Sequence, residues 1–329
     1  MSENKKSSYL YILKILEEFS DENHPLTHKE IIDLVYQEYG LELERKSVAS
    51  SLKILEDSGY DINKGNRNGF YLLERNFNES EVSFLVDAIF SSREISGKQA
   101  RELSKKVYSC LSKYKRRDYE YLFKSDEINR TDNKNIFFNI EIINEAIKRK
   151  KVVKFKYKDF DENGNETLRY NGFKFHVCPY YVVNNYGKYY LLARRRKYDV
   201  LSVFRLDYIR DPEIMEDGEF LDIKDITQYK NGFDIAEYLN SHVYLFGGEV
   251  CNAKLELKNT AAISYVKDWF GNNASIKKEN NKLIARIKCN ENALFYWAIQ
   301  YSQSVKVIYP DYLVDRIKKA LDEIVKDYK

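Results

Sequence analysis

The chain has 329 residues, 43% of them hydrophobic and 32% charged, which is enough for two or three domains with cores of their own and excludes a disordered chain. A net charge of +3 is too small to announce a nucleic-acid binder by itself. No run approaches the ~18 uninterrupted apolar residues of a membrane span. Charge is unevenly spread. Residues 1–75 hold ten Lys/Arg and fourteen Asp/Glu, a net of −4, whereas residues 148–158 hold seven Lys/Arg. Polar residues punctuate Tyr9–Phe19 where a leader would be apolar, so a soluble cytoplasmic protein is expected. Cys110, Cys178, Cys251 and Cys289 are far apart, with no metal-ligand spacing, and read as core thiols in a reducing compartment.

In chain order, Tyr9, Ile12, Leu13, Leu16 and Phe19 recur at helical spacing and predict a helix over 8–20. Thr27-His28-Lys29-Glu30 has the form of a capping box and opens a second helix, which Gly40 ends. A third helix fits Arg45–Ser58 with Val48, Leu52 and Leu55 as its buried stripe. Two short strands follow, Tyr60–Ile62 and Gly69–Leu73, around the polar tip Asn63–Asn68. Three short helices and a hairpin form the winged helix-turn-helix pattern, whose third helix enters the major groove. The exposed side of that helix offers Arg45, Lys46, Ser47, Ser50 and Lys53, and the wing offers Lys64, Asn66 and Arg67, cations and small hydroxyls suited to phosphate contacts.

Residues 76–145 read as a helical connector. Asn78–Glu81 opens one helix and a second fits Lys98–Tyr114, with Lys115–Arg117 as a solvated charged face. From Lys151 the period changes to two: Val153, Phe155 and Tyr157 alternate with Lys154, Lys156 and Lys158. Asp159–Gly164 reads as a turn. Further strands fit Thr167–Phe173, Phe175–Val183, Tyr189–Ala193 and Leu201–Ile209, with Asp211-Pro212 closing a small Sm/SH3-like β-barrel over 146–212. After a connector at 213–242, residues 243–329 read as strand, helix, two strands, helix, strand and a final helix. The first six of these make the βαββαβ order of a ferredoxin-like domain. The expected class is thus α+β and multidomain.

Chemistry is conspicuously missing. There is no phosphate-cradling G-x-x-x-x-G-K-[ST], no G-x-S-x-G and no H-E-x-x-H, and His24, His28, His176 and His242 do not cluster with acids or cysteines. No enzyme activity, metal or cofactor is expected. The barrel strands instead combine aromatic and basic side chains, a surface that suits a phosphate-bearing ligand. The candidate residues are Tyr190, Arg205, His176 and the loop Arg194, Arg195 and Arg196, with Lys154 and Lys156 as lesser candidates. For Arg205 the competing reading is an ion pair with Asp207 or Asp211.

Arg45–Val48 leading to Leu52–Tyr60, then Gly69–Leu72, Pro179–Tyr181, Tyr189-Tyr190-Leu191, Phe204–Ile209, Val266–Gly271, Trp297 and Pro310 stand in the order found in WYL-domain transcriptional regulators of bacteria, which the chain resembles over nearly its whole length. It departs from that pattern at Tyr189, where the motif has Trp, and at Tyr208, where members commonly carry a second Arg. It departs again at Ala49 and Ser50, where many members show a larger aromatic and an Arg. The resemblance implies a homodimer that binds double-stranded operator DNA through its winged domain and senses a nucleic-acid-derived effector, such as single-stranded DNA, an RNA fragment or a nucleotide, through the barrel. The alternative is an RNA- or single-strand-binding adaptor whose winged domain is a protein interface, a reading favoured by the acidic balance of residues 1–75.

Overall fold

The computed structural model describes residues 8–116 and 135–328 and is mixed α+β. The chain divides at residues 134/135 into two units. Arg117 and connector residues 117–134 lie outside the described residues, as do Lys5 and Lys6. Among the described residues no helix is long and apolar enough to cross a membrane, and no group of three or more His, Cys, Asp or Glu could hold a metal ion.

The first unit begins with three helices, α1 (Ser8–Phe19), α2 (His28–Tyr39) and α3 (Arg45–Asp57). The capping box at Thr27 forms in full and Gly40 takes the left-handed conformation (φ 64°) that stops α2. The apolar stripes meet in one core containing Ile12, Ile15, Leu16, Ile31, Val35, Val48, Leu52 and Leu55, each such burial stabilising by roughly 1.5–3 kcal/mol. Strands β1 (Ile62–Lys64) and β2 (Phe70–Leu72) pair antiparallel, Ile62 opposite Leu72 and Lys64 opposite Phe70. Arg67 and Asn68 turn the tip with φ of 60° and 53°, a conformation that non-glycine side chains adopt reluctantly. Helices α4 (Glu79–Ser91), α5 (Gly97–Tyr108) and the short α6 (Lys113–Arg116) follow. The expected helix over Lys98–Tyr114 is therefore broken after Tyr108. Nor are Lys115 and Arg116 a solvated face: Lys115 pairs with Glu22 (3.0 Å) and Glu79 (3.4 Å), and Arg116 grips Glu18 through two hydrogen bonds.

The second unit opens with α7 (Ile136–Arg149), followed by β3 (Val152–Phe160), β4 (Glu166–Leu168), β5 (Phe175–Asn185), β6 (Lys188–Arg195), β7 (Leu201–Arg205) and β8 (Ile209–Met215). The strand order is β4-β3-β5-β6-β7, with β8 also pairing β3, and every pairing is antiparallel. On β3, Val153, Phe155 and Tyr157 face a buried aromatic cluster with Phe175 and Phe204, ring centroids 5.2–6.4 Å apart. Tyr186 and Gly187, both at positive φ (48° and 77°), make the two-residue turn between β5 and β6. The side-chain amide of Asn139 on α7 donates to the Leu206 and Ile209 carbonyls, both at 3.2 Å, pinning the turn before β8.

Several strand boundaries differ from the sequence reading. The first wing strand is Ile62–Lys64 in place of Tyr60–Ile62, so Lys64 lies on the strand and not in the tip, and Arg194 and Arg195 belong to β6 and not to a loop. Leu201–Ile209 is not one strand: a 3-10 turn at Leu206–Tyr208 interrupts it, because Asp207 turns inward and is nearly buried. The expected strand Thr167–Phe173 stops at Leu168, since Tyr170 and Asn171 take left-handed dihedrals. Asp211-Pro212 lies inside β8, where Asp211 (φ 50°) marks a register shift against β3, and does not close the barrel.

Helix α8 (Ile235–Ser241) leads to β9 (Val250–Leu257), α9 (Ala261–Phe270), β10 (Ala274–Glu279), β11 (Lys282–Asn290), α10 (Glu291–Gln300), β12 (Val305–Tyr309) and α11 (Asp311–Asp327). The sheet order is β10-β11-β9-β12, antiparallel throughout, over a core that includes Trp297, Phe270 and Leu255.

His242 is buried at the end of α8, stacked on Tyr238 (4.0 Å) with Nδ1 2.9 Å from the Tyr238 carbonyl oxygen. Burial lowers its pKa below the ordinary value, the Tyr238 carbonyl opposing. The unfolded chain then binds the proton first, so this stabilisation is complete above pH ~6.5 and fades as the pH falls. Between about pH 7.5 and pH 5.5 the parent should lose more melting temperature than His242→Gln, as thermal unfolding at the two pH values would show.

Candidate functional site

In the first unit, α3 turns Val48, Leu52 and Leu55 inward, and this phase leaves Arg45, Lys46, Ser50 and Lys53 exposed with Ser47 half-buried. Ser51 is buried and hydrogen-bonded to Ser8 (3.0 Å), so it belongs to the core. The hairpin exposes Lys64, Asn66 and Arg67, and Lys64 lies 6.0 Å from the Phe70 ring centre. Among the described residues none of these five cations makes an ion pair.

The barrel treats its cations differently. Lys154 pairs with Glu213 (2.7 Å), Lys156 with Asp211 (2.9 Å) and Lys158 with Glu166 (2.8 Å), forming a ladder of closed pairs along β3. Arg205 donates from Nε and Nη2 to the two carboxylate oxygens of Asp207 (3.0 and 2.6 Å) and lies 4.2 Å from the Tyr208 ring centre. This is the Asp207 ion pair that competed with an effector role in the sequence. The Tyr157 hydroxyl accepts the Arg205 backbone N–H (2.9 Å), and burial pushes its pKa up to about 12, so it stays protonated. Tyr190 stands opposite Arg205 in the ladder, on the face that also carries Leu192 and packs with Tyr238 and Leu245. Arg196 pairs with Glu219 (3.0 Å), and Arg194 with Asp199 (3.4 Å) and the Tyr198 carbonyl (3.1 Å).

Arg195 is the exception. Its guanidinium lies 4.1 Å from the Tyr198 ring centre, its Nε is buried without a hydrogen-bond partner, and no carboxylate pairs with it among the described residues. It borders two clefts of about 480 Å³ each. One is also lined by His176, Arg196, Phe173 and Tyr198. The other is lined by Arg169, Tyr170, Ser202 and Phe246. Thus the structure brings His176, Arg195 and Arg196 together at one cleft and leaves Tyr190, Arg205, Lys154 and Lys156 outside both linings. Sequence reasoning missed Arg169, Tyr170, Phe173 and Tyr198. Tyr170, Phe173 and Tyr198 are exposed (74%, 56% and 49%), and Arg169, paired with Asp159, lies over the Tyr157 ring. Tyr170-Asn171-Gly172 was the available turn signal, but it sat inside a segment whose alternation looked like strand.

Guanidinium groups beside exposed aromatic rings can hold a phosphate while the rings stack on a planar group. The WYL domain family model matches residues 139–214, from α7 into β8, and the chain carries this domain. No curated protein matches the chain. Among solved structures it is similar to proteasome accessory factor B/C (PafBC) of Arthrobacter aurescens, with 16% identity, a TM-score of 0.30, and 99% of this chain and 49% of that chain covered. It is also similar to a CRISPR Cas-related protein, with 15% identity, a TM-score of 0.40, and 98% and 84% covered. The chain spans about half the length of PafBC.

If Arg205 serves chiefly to satisfy Asp207, removing it takes the bidentate partner from a carboxylate that is only 7% exposed. Arg205→Met should then lower stability by about 1–3 kcal/mol, measured by urea unfolding. Arg205→Met/Asp207→Leu should recover most of the loss, and an unchanged midpoint in the single variant would refute the assignment.

Proposed function

We propose that this WYL-domain chain is a DNA-binding transcriptional regulator whose barrel senses a phosphate-bearing, nucleic-acid-derived effector. On this reading α1–α3 and the β1–β2 hairpin are a winged helix-turn-helix. Helix α3 enters the major groove and the hairpin tip follows the adjacent backbone. The strand order of the barrel supports an Sm/SH3-like fold, with α4–α7 as connector, and the order β10-β11-β9-β12 supports a ferredoxin-like C-terminal domain. The resemblance adds a homodimer on paired half-sites, and the polar residues within Tyr9–Phe19 support action in the cytoplasm.

The observation that carries the reading is the contrast in charge pairing. Residues 1–75 are net acidic, yet among the described residues the cations on the outer face of α3 and at the hairpin tip make no ion pair, while those on β3 are closed by carboxylates. Unpaired, exposed cations on one helix and one turn can contact phosphates without first breaking an internal pair. In the barrel the same criterion selects Arg195, with His176 and the exposed rings around it, over Arg205.

The test is titration of the full chain with its own upstream intergenic duplex across a salt series, with and without a short single-stranded DNA. Arg67→Ala should weaken duplex binding for all sequences and reduce the salt slope by about 1. Arg195→Ala should leave duplex affinity intact and abolish the response to the oligonucleotide, whereas Arg205→Met should retain that response. Duplex binding no tighter than to random DNA, together with tight single-strand binding, would overturn the regulator and favour the adaptor.

A further inference from the structure

The loop between α1 and α2, residues 20–26, is held from two directions within the first unit. On one side lies the hairpin. Leu26 and Phe70 exchange two backbone hydrogen bonds (2.9 and 2.7 Å), and the Ser20 hydroxyl accepts the Leu72 N–H (3.2 Å). The hairpin sits flush on Pro25: a Cβ on Gly65 would come within 2.7 Å of the Pro25 Cβ, and one on Gly69 within 2.9 Å of the Pro25 carbonyl carbon. No side chain could be inserted there without moving the hairpin.

On the other side lie residues 112–116. The nearly buried Asp21 carboxylate accepts from the backbone N–H of Asn23 (3.0 Å) and of His24 (2.9 Å). It also contacts His24 Nδ1 (2.7 Å) and accepts from the fully buried Ser112 hydroxyl (2.6 Å). These hydrogen bonds hold its carboxyl below the usual carboxylate range against the opposing effect of burial. The His24 ring stacks on Tyr114, centroids 3.7 Å apart and planes 9° from parallel. Arg116 and Lys115 add their pairs to Glu18 and Glu22. A cleft of about 310 Å³ is lined by His24, Pro25 and Tyr114 together with Asn66 and Arg67 of the hairpin tip.

We infer that residues 112–116 are the positioning element of the hairpin tip. Through Asp21 and the His24–Tyr114 stack they fix the loop on which the hairpin rests, and so they set how well Arg67 meets a duplex. A displacement of Ser112 or Tyr114 is passed to Pro25 and Leu26 and from there to the tip, while α3, whose stripe is buried in the three-helix core, keeps its place. The helical segment that follows the hairpin in sequence thereby gains control over one of the two DNA-contacting elements and not the other. The consequence for DNA rests on the winged-helix reading; the positional coupling does not.

Two measurements on the full chain separate these. Amide hydrogen exchange of the peptide containing Phe70, whose N–H is bonded to Leu26, should speed up roughly threefold to tenfold in Tyr114→Ala, the effect of losing one aromatic stacking contact. Tyr114→Phe should restore the parental rate, and peptides from Val48–Leu55 of α3 should be unchanged. Ser112→Ala should act in the same direction as Tyr114→Ala. Parental exchange at Phe70 in Tyr114→Ala, or equal acceleration in α3, would overturn the inference. Binding of a mixed-sequence 30-base-pair duplex (a length of roughly three helical turns) then tests the consequence. Tyr114→Ala should weaken it roughly threefold to tenfold, and Arg67→Ala/Tyr114→Ala should be no weaker than Arg67→Ala alone, because the stack acts through that residue. Additive losses would overturn the link to Arg67. A parent that does not bind the duplex would overturn the DNA-binding reading and leave the exchange result standing.

Discussion

A cation can serve a phosphate only if no carboxylate has already claimed it, and that constraint orders this chain. The barrel is the most basic stretch of the sequence, yet the acids of β4 and β8 close its β3 lysines, and Asp207 closes Arg205. To release Arg205 a ligand would have to displace a bidentate carboxylate that is itself nearly buried. Asp207 also lies in the 3-10 turn that separates β7 from β8 along the chain, so it bears on the backbone as well as the charge. Among the described residues, Arg195 in the barrel and the cations of α3 and the hairpin tip in the first unit make no ion pair, although Asp217 and Glu219 share the Arg195 cleft and Glu30 lies near Arg67.

Sequence patterns revealed the elements better than the site. The capping box at Thr27, the glycine stop at Gly40 and the stripe Val48, Leu52 and Leu55 are local signals, and each appears in the structure where the pattern places it. The C-terminal strands and helices follow in the expected order because each alternates or repeats over a long enough run. Legibility ended where partners come from afar. Lys154 and Lys156 stood as lesser candidates and their pairs were invisible in one dimension, because Glu213 and Asp211 meet β3 only through strand pairing, whereas the Arg205–Asp207 pair, two residues apart, was open as the competing reading. Tyr190 could have faced either way; its register with Arg205 places it on the side packed with Tyr238 and Leu245, residues about fifty positions later. Lys115 and Arg116 read as solvated for the same reason, since Glu18 and Glu22 lie far upstream in the chain.

The two open sites share a physical arrangement. Arg67 occupies a left-handed position (φ 60°) on a turn seated against Pro25. Arg195 ends β6, its guanidinium against Tyr198 just beyond the strand. Among the described residues neither makes an ion pair, so each is placed by packing: a proline and a histidine–tyrosine stack for one, a tyrosine face for the other. Packing fixes the direction of a side chain without neutralising it, which ion pairing cannot do. A protein that must hold a cation ready for an absent phosphate therefore has reason to place it by rings and turns and not by an ion pair. In such a site affinity is set by whatever moves the rings. That places control of both surfaces with neighbouring segments and not with the charged residues themselves.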